Sequence, residues 1–105
     1  MRYDITLAPS AVRELRALPA QLRAQVRDAL ERHLRHEPTR VSRSRIKRLR
    51  GLDQPQYRLR IGDVRVFCDV AEDRVEVLAV VSKAQADGWL QREGRADEEG
   101  GAGEG

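Results

Sequence analysis

The sequence predicts one α+β domain, with helices in the first half of the chain and strands in the second. Its 105 residues are enough for one hydrophobic core and too few for two. Apolar residues recur at helical spacing between about residues 10 and 36, which predicts amphipathic helices. From residue 57 to 81 they alternate with polar residues, which is typical of strands that bury one face.

The first half is predicted to contain a strand and a helical hairpin. Residues 2–7 alternate and predict a short strand, and Ser10 is expected to cap a helix that ends before Pro19. A second helix is predicted at 20–36, because its apolar residues form one stripe: Leu22, Val26, Ala29, Leu30, His33 and Leu34. Two helices with so short a link form a hairpin.

The second half is predicted to form a meander of strands. A short strand is expected at 46–49, followed by strands at 57–61, 64–70 and 75–81 and a closing helix at 83–92. Gly62-Asp63 suits a type II′ turn. The folded domain is therefore predicted at 1–93, with a disordered, acidic, glycine-rich tail at 94–105.

The charge of the chain is unevenly divided. The net charge is +3, but residues 96–105 contain four acids and no base, so residues 1–95 hold 20 basic and 13 acidic groups, a net of +7. Such a balance indicates an acidic partner such as nucleic acid. The sequence has no apolar run long enough to span a membrane, and Asp4 lies where a signal peptide would have an apolar stretch. Cys68 is the one cysteine, so no intrachain disulfide can form, and we expect a cytoplasmic protein.

The Gly62-Asp63 turn fixes which residues of its hairpin share a face. Pairing then sets Ile61 against Val64 and Arg60 against Arg65, so that one face is apolar and the other carries Arg58, Arg60 and Arg65. Cross-strand partners lie roughly 5 Å apart at Cβ, which is close for like charges. Cations held together in this way suit a phosphate group. The alternative is a solvated, arginine-rich sheet face.

The next hairpin is predicted to bring a fourth cation to this end of the sheet. Pairing Val81 with Val64 and Val80 with Arg65 places Lys83 beside the Gly62-Asp63 turn. In this register Phe67, Leu78 and Val80 share the arginine face.

The remaining candidate residues have structural interpretations as well. His33 and His36 are expected to serve the core or the helix end, and neither has a partner at metal-ligand spacing, so we expect no metal and no cofactor. Cys68 is expected to be a small core residue. The basic run at 40–50 is a candidate RNA contact, a solvated loop or a docking surface for a protein; its cations include Arg45, Lys47, Arg48 and Arg50.

Three stretches resemble the RelE/ParE family of bacterial toxin–antitoxin toxins: YDITLAPSAVRELRALP, KRLRGLDQPQYRLRIGDVRVFCDV and VEVLAVVSKAQADGWL. The resemblance covers about residues 2–92. It implies an N-terminal strand and a helical hairpin packed on a mostly antiparallel sheet, which the first strand joins, and a short C-terminal helix. It also implies an antitoxin partner.

The resemblance implies two different activities. RelE-like toxins cut messenger RNA on the ribosome, and their basic positions match Arg58, Arg60 and Arg65, with Lys83 at the fourth position. Their C-terminal tyrosine is missing, and the nearest aromatic residue is Trp89, which can stack on a base but cannot transfer a proton. ParE-like toxins inhibit DNA gyrase without chemistry. A third hypothesis is that the protein has lost the toxin activity and only binds an antitoxin.

Overall fold

The computed structural model describes residues 2–43 and 45–96. The helices and strands follow one another along the chain in this order: β1 (Asp4–Leu7), α1 (Pro9–Ala17), α2 (Ala20–Leu34), β2 (Ile46–Arg48), β3 (Leu52–Gln54), β4 (Tyr57–Ile61), β5 (Val64–Val70), β6 (Arg74–Ser82), α3 (Lys83–Glu93) and β7 (Arg95–Ala96). The predicted α+β class is confirmed. The second helix ends two residues earlier than predicted, at Leu34.

Five strands form one sheet in the order β1-β6-β5-β4-β2. All neighbours in this sheet are antiparallel except β1, which runs parallel to β6. The helical hairpin covers one face of the sheet, where Val26, Leu30 and Leu34 of α2 join the same core cluster as Leu59 and Val66. This burial of apolar surface is the main stabilising contribution to the fold.

The hairpin of β4 and β5 has the predicted register. Ile61 pairs with Val64, Arg60 with Arg65 and Arg58 with Phe67. Gly62 has φ +56° and no other residue of the turn has a positive φ, which is the backbone of a type II′ turn. A Cβ is strained in this conformation, so the turn needs glycine at its first position.

The predicted register between β5 and β6 is wrong over half of its length. Val64 pairs with Ser82 and Arg65 with Val81, one residue beyond the prediction, while Cys68 pairs with Val77 as expected. The shift lies at a β-bulge opposite Phe67 and Cys68, where Leu78 is the additional residue. The bulge turns Val80 to the helical-hairpin side and brings Val81 to the arginine side, so Val80 does not share a face with Phe67.

Two side chains of α1 compensate for the disturbed pairing at this bulge. The Ser10 hydroxyl donates to the carbonyl oxygen of Leu78 at 3.3 Å, and a Glu14 carboxylate oxygen accepts from the Val80 amide at 2.9 Å. The prediction of Ser10 as the N-cap is wrong: α1 begins two residues earlier than predicted, with Pro9 as its first residue and Ala8 as its cap. Proline suits the first helical position because its missing amide would be unpaired there.

The second face of the sheet is covered in part by α3. Phe67, Ala79, Val81 and Ala86 form a small separate core, against which Trp89 packs. After α3, Arg95–Ala96 forms β7 and pairs with β3, so the described fold extends three residues into the predicted tail. The rest of that predicted tail, 97–105, lies outside the described residues.

Candidate nucleic-acid interface

Four cations meet on the sheet face that α3 only partly covers. Lys47 pairs with Arg58 across β2 and β4, and Arg60 pairs with Arg65 across β4 and β5. Directly paired residues share a face of a sheet and lie about 5 Å apart at Cβ. We call Lys47, Arg58, Arg60 and Arg65 the basic face. Lys47 belongs to it through a three-residue strand whose pairing could not be inferred from the sequence.

Arg65 is the innermost member of the basic face. Only 6% of its surface is exposed, and its Nη1 donates to the carbonyl oxygens of Gly62 at 2.7 Å and Val64 at 3.1 Å. Burial, and after it the charges of Arg60 and Arg58, lower the pKa of Arg65. The guanidinium thus braces its own hairpin turn and adds positive potential to the face.

Arg58 and Arg60 are the more accessible guanidinium groups. Arg60 is exposed, and Arg58 is half-buried between Lys47 and Phe67. The Nε of Arg58 is shielded from solvent and has no hydrogen-bond partner within the described residues. A buried donor without a partner costs about 1–3 kcal/mol. An acidic oxygen from a ligand would satisfy this donor.

Lys83 lies where the sequence predicts it, beside the Gly62-Asp63 turn. Its backbone amide donates to the Asp63 carbonyl oxygen at 2.7 Å, and Ser82 caps α3 through the Gln85 amide. Lys83 also lines a cavity of about 570 Å³ together with Asp63 and Asp87. The sequence reasoning missed Asp87, although Lys83 and Asp87 stand at i and i+4 of the predicted closing helix and are therefore neighbours on one of its faces.

Trp89 stacks on a side chain of the protein itself. Its ring lies parallel to that of Phe67, with 4.8 Å between centroids and 5° between planes. One indole face is therefore occupied. A nucleobase could therefore stack only on the opposite face of the indole, whereas the sequence left both faces available for stacking.

The three arginines predicted as RNA contacts outside the basic face lie at different places. Arg48 has its guanidinium 5.3 Å from the Tyr57 ring centroid and donates to the carbonyl oxygens of Leu49 and Gln56, so it has a structural role on the other side of the sheet. Arg45 lines a cavity with His33 at the end of α2. Arg50 is exposed in the turn before Gly51. Arg48 and Arg50 thus lie apart from the basic face, whereas the backbone of Arg45 lies opposite Arg60, whose amide donates to the Arg45 carbonyl oxygen at 2.9 Å.

The arrangement can bind and polarise a phosphate more readily than it can move protons. Guanidinium and ammonium groups stabilise negative charge on phosphate oxygens. Arginine is a poor acid–base group. His33 and His36 lie beyond the sheet at the end of α2. Among residues 2–43 and 45–96 no group of His, Cys, Asp and Glu could hold a metal ion, and none of the helices is long and apolar enough to cross a membrane.

Comparison with known proteins gives a consistent family relationship. Residues 5–87 match the family model described as the ParE toxin of the type II toxin–antitoxin system parDE. No curated protein sequence matches significantly.

Solved structures of the same shape include both complexes and a free protein. The toxin–antitoxin complex RelBE2 from Mycobacterium tuberculosis matches with 26% identity and a TM-score of 0.60, over 78% of this chain and 99% of that one. The archaeal RelE–RelB complex from Pyrococcus horikoshii matches with 25% identity and a TM-score of 0.61, over 81% and 99%. A mutant of E. coli RelE in the free state shares the fold, with 22% identity, a TM-score of 0.65 and coverage of 89% and 99%.

Proposed function

Since the chain belongs to the RelE/ParE family of toxins of type II toxin–antitoxin systems, we propose that it cleaves messenger RNA on the ribosome and so inhibits translation. The observation that carries this proposal is the basic face, where Lys47, Arg58, Arg60 and Arg65 occupy two adjacent cross-strand rows. By analogy with the solved complexes, the partner that restrains the toxin is an antitoxin.

The proposed reaction is a transesterification within the RNA strand. A ribose 2′-oxygen attacks the adjacent phosphorus while its proton leaves to a base, and the bond to the 5′-oxygen of the next nucleotide breaks as that oxygen takes up a proton. The products are a 2′,3′-cyclic phosphate and a 5′-hydroxyl. Charge builds up on the phosphate oxygens in the transition state, so cations placed there accelerate the step.

The residues of the face would divide this work. Arg60, exposed, would bind the phosphate oxygens, and the unpaired Nε of Arg58 would donate to the same phosphate. Arg65 would raise the positive electrostatic potential at the phosphate rather than bind it, because its Nη1 already donates a hydrogen bond to a carbonyl oxygen of the hairpin turn. Lys83 beside Asp63 and Asp87 is the candidate for proton transfer. The ribosome would align the substrate strand.

The test is to map RNA 5′ ends in a reconstituted translation reaction. Wild type should produce new 5′ ends within translated messages, and Arg60→Gln should reduce their yield at least tenfold, the reduction that about 1.4 kcal/mol of phosphate binding corresponds to. Arg13→Gln is the matched control, since Arg13 is exposed on α1 and should leave the map unchanged. A map without new ends for wild type would refute the proposal.

A second candidate is inhibition of DNA gyrase without chemistry. Two observations favour it: the matching family model is that of ParE, and Arg65 is committed to the turn rather than presented to a ligand. A supercoiling assay with purified gyrase separates the two, because inhibition without new RNA ends supports only this candidate. Normal growth on induction, with neither effect, would instead indicate a homologue that only binds antitoxin.

A further inference from the structure

A second cationic site lies at the C-terminal end of α2, around the β2 edge of the sheet from the basic face. A cavity of about 430 Å³ is lined there by residues of α2, the following loop and the start of β2, among them Arg32, His33, Glu37, Arg40, Ser42 and Arg45. None of these is a member of the basic face. We call this cavity the α2 cavity.

The charges around the α2 cavity favour an anion. Its one acid, Glu37, forms an ion pair with Arg40 at 3.0 Å, and Arg32 pairs with Asp28 at 3.0 Å. Arg45 has no ion pair within the described residues, so its charge is uncompensated. Arg32 and His33 stand in the last turn of α2, where positive groups offset the negative end of the helix dipole, so the surplus positive charge of the cavity comes from Arg45.

His33 lies within electrostatic reach of Arg45 and Arg32. Burial, followed by the charges of Arg45 and Arg32, lowers the pKa of His33, and only Asp28 opposes this. A bound phosphate would reverse the effect of the two arginines. The imidazole is therefore both a candidate hydrogen-bond donor to an anion and a built-in probe of whether one is bound.

The backbone connects the α2 cavity to the basic face. The Arg60 amide donates to the Arg45 carbonyl oxygen at 2.9 Å, and Lys47 follows two residues after Arg45. This bond continues the pairing of β2 with β4, so Arg45 lies opposite Arg60 and about 7 Å along the chain from Lys47, which makes Arg45 of the cavity a near neighbour of the cations of the basic face. The Ser42 hydroxyl accepts from the amides of Arg45 and Ile46, which fixes the start of β2.

We propose that the α2 cavity binds a backbone phosphodiester of the same nucleic-acid strand that occupies the basic face, with Arg45 as its principal contact and His33 beside it. The inference rests on the proposed nucleic-acid function and extends it, since the bound strand then passes around the β2 edge. Guanidinium is suited to this role because its planar donors match phosphate geometry.

The test follows the imidazole proton resonances of His33 by NMR while the full chain is titrated with a uridine hexanucleotide. Binding should shift these resonances and raise the pKa of His33. Arg45→Gln should weaken the effect about tenfold, and Arg13→Gln should leave it unchanged. An Arg60→Gln variant separates this site from the basic face, because inorganic phosphate should still shift the His33 resonances in this variant although its cleavage of messenger RNA is reduced at least tenfold.

Three results would overturn the proposal. One is a His33 resonance that does not respond to the oligonucleotide while backbone amides of β4 and β5 do. Another is a response to inorganic phosphate with none to the oligonucleotide, which would indicate an anion site unconnected with nucleic acid. The third is an equal response in Arg45→Gln, provided that the amide spectrum of this variant shows the native fold.

Discussion

The stacked rings of Phe67 and Trp89 hold α3 against the sheet, and their interaction energy can be measured. Aromatic pairs contribute about 0.5–1.5 kcal/mol beyond the area they bury. Phe67 is fully buried and the rings are parallel with 4.8 Å between centroids, so we expect a coupling free energy between the two rings near the middle of this range, about 1 kcal/mol. Trp89→Leu alone should cost about 2 kcal/mol, because its ring is only partly buried.

The assay is a double-mutant cycle of Phe67→Leu and Trp89→Leu, with free energies of unfolding from urea titration. Circular dichroism follows all four proteins, and the fluorescence of Trp89, the single tryptophan, reports on α3 in the two proteins that keep it. Neighbours that interact show non-additive free energies. Additivity within about 0.3 kcal/mol would refute the view that this stack fixes α3.

Three further predictions concern stability and reactivity. Glu14→Ala should destabilise the fold by about 1–3 kcal/mol in urea titration, because it leaves the Val80 amide at the bulge unpaired, whereas Glu14→Gln keeps an acceptor and should cost less than half as much. Gly62→Ala should cost about 1–2 kcal/mol because its φ is +56°, whereas Gly88→Ala within α3 should stabilise by about 0.5–1 kcal/mol; equal melting temperatures would contradict this. Burial raises the pKa of the Cys68 thiol to about 12. Only about one molecule in ten thousand is therefore a thiolate at pH 8, and iodoacetamide should label the native protein far more slowly than the urea-unfolded one.

The fold could be predicted from the sequence wherever local chemistry decides the structure. Alternation and the Gly62-Asp63 turn determined the register of β4 and β5, because one face must be buried and a two-residue turn allows one pairing. The bulge at Leu78 could not be foreseen. It depends on two α1 side chains, Ser10 and Glu14, that lie more than sixty residues away and supply its hydrogen bonds.

The candidate site was predictable to the same extent. Arg58, Arg60 and Arg65 share a face because the hairpin register requires it, and Lys83 follows from the next strand. The burial of Arg65 and the stacking of Phe67 on one face of the Trp89 ring could not be inferred from the sequence. Both depend on the positions of α3 and of the turn backbone in the folded protein. The alternation of residues along a strand indicates which face of the sheet a side chain lies on, but it does not indicate which other parts of the protein pack against that face.

The claim that nucleic-acid phosphates bind to the basic face is tested most directly by the salt dependence of RNA affinity. Removing one cation that binds a phosphate lowers the slope of log affinity against log salt by about 0.7 for a single strand. Fluorescence anisotropy with a labelled single-stranded RNA should therefore give Arg60→Gln a weaker affinity and a slope reduced by about 0.7, with Arg13→Gln equal to wild type. The same slope and affinity in all three proteins would contradict the account, because Arg60 would then face no phosphate.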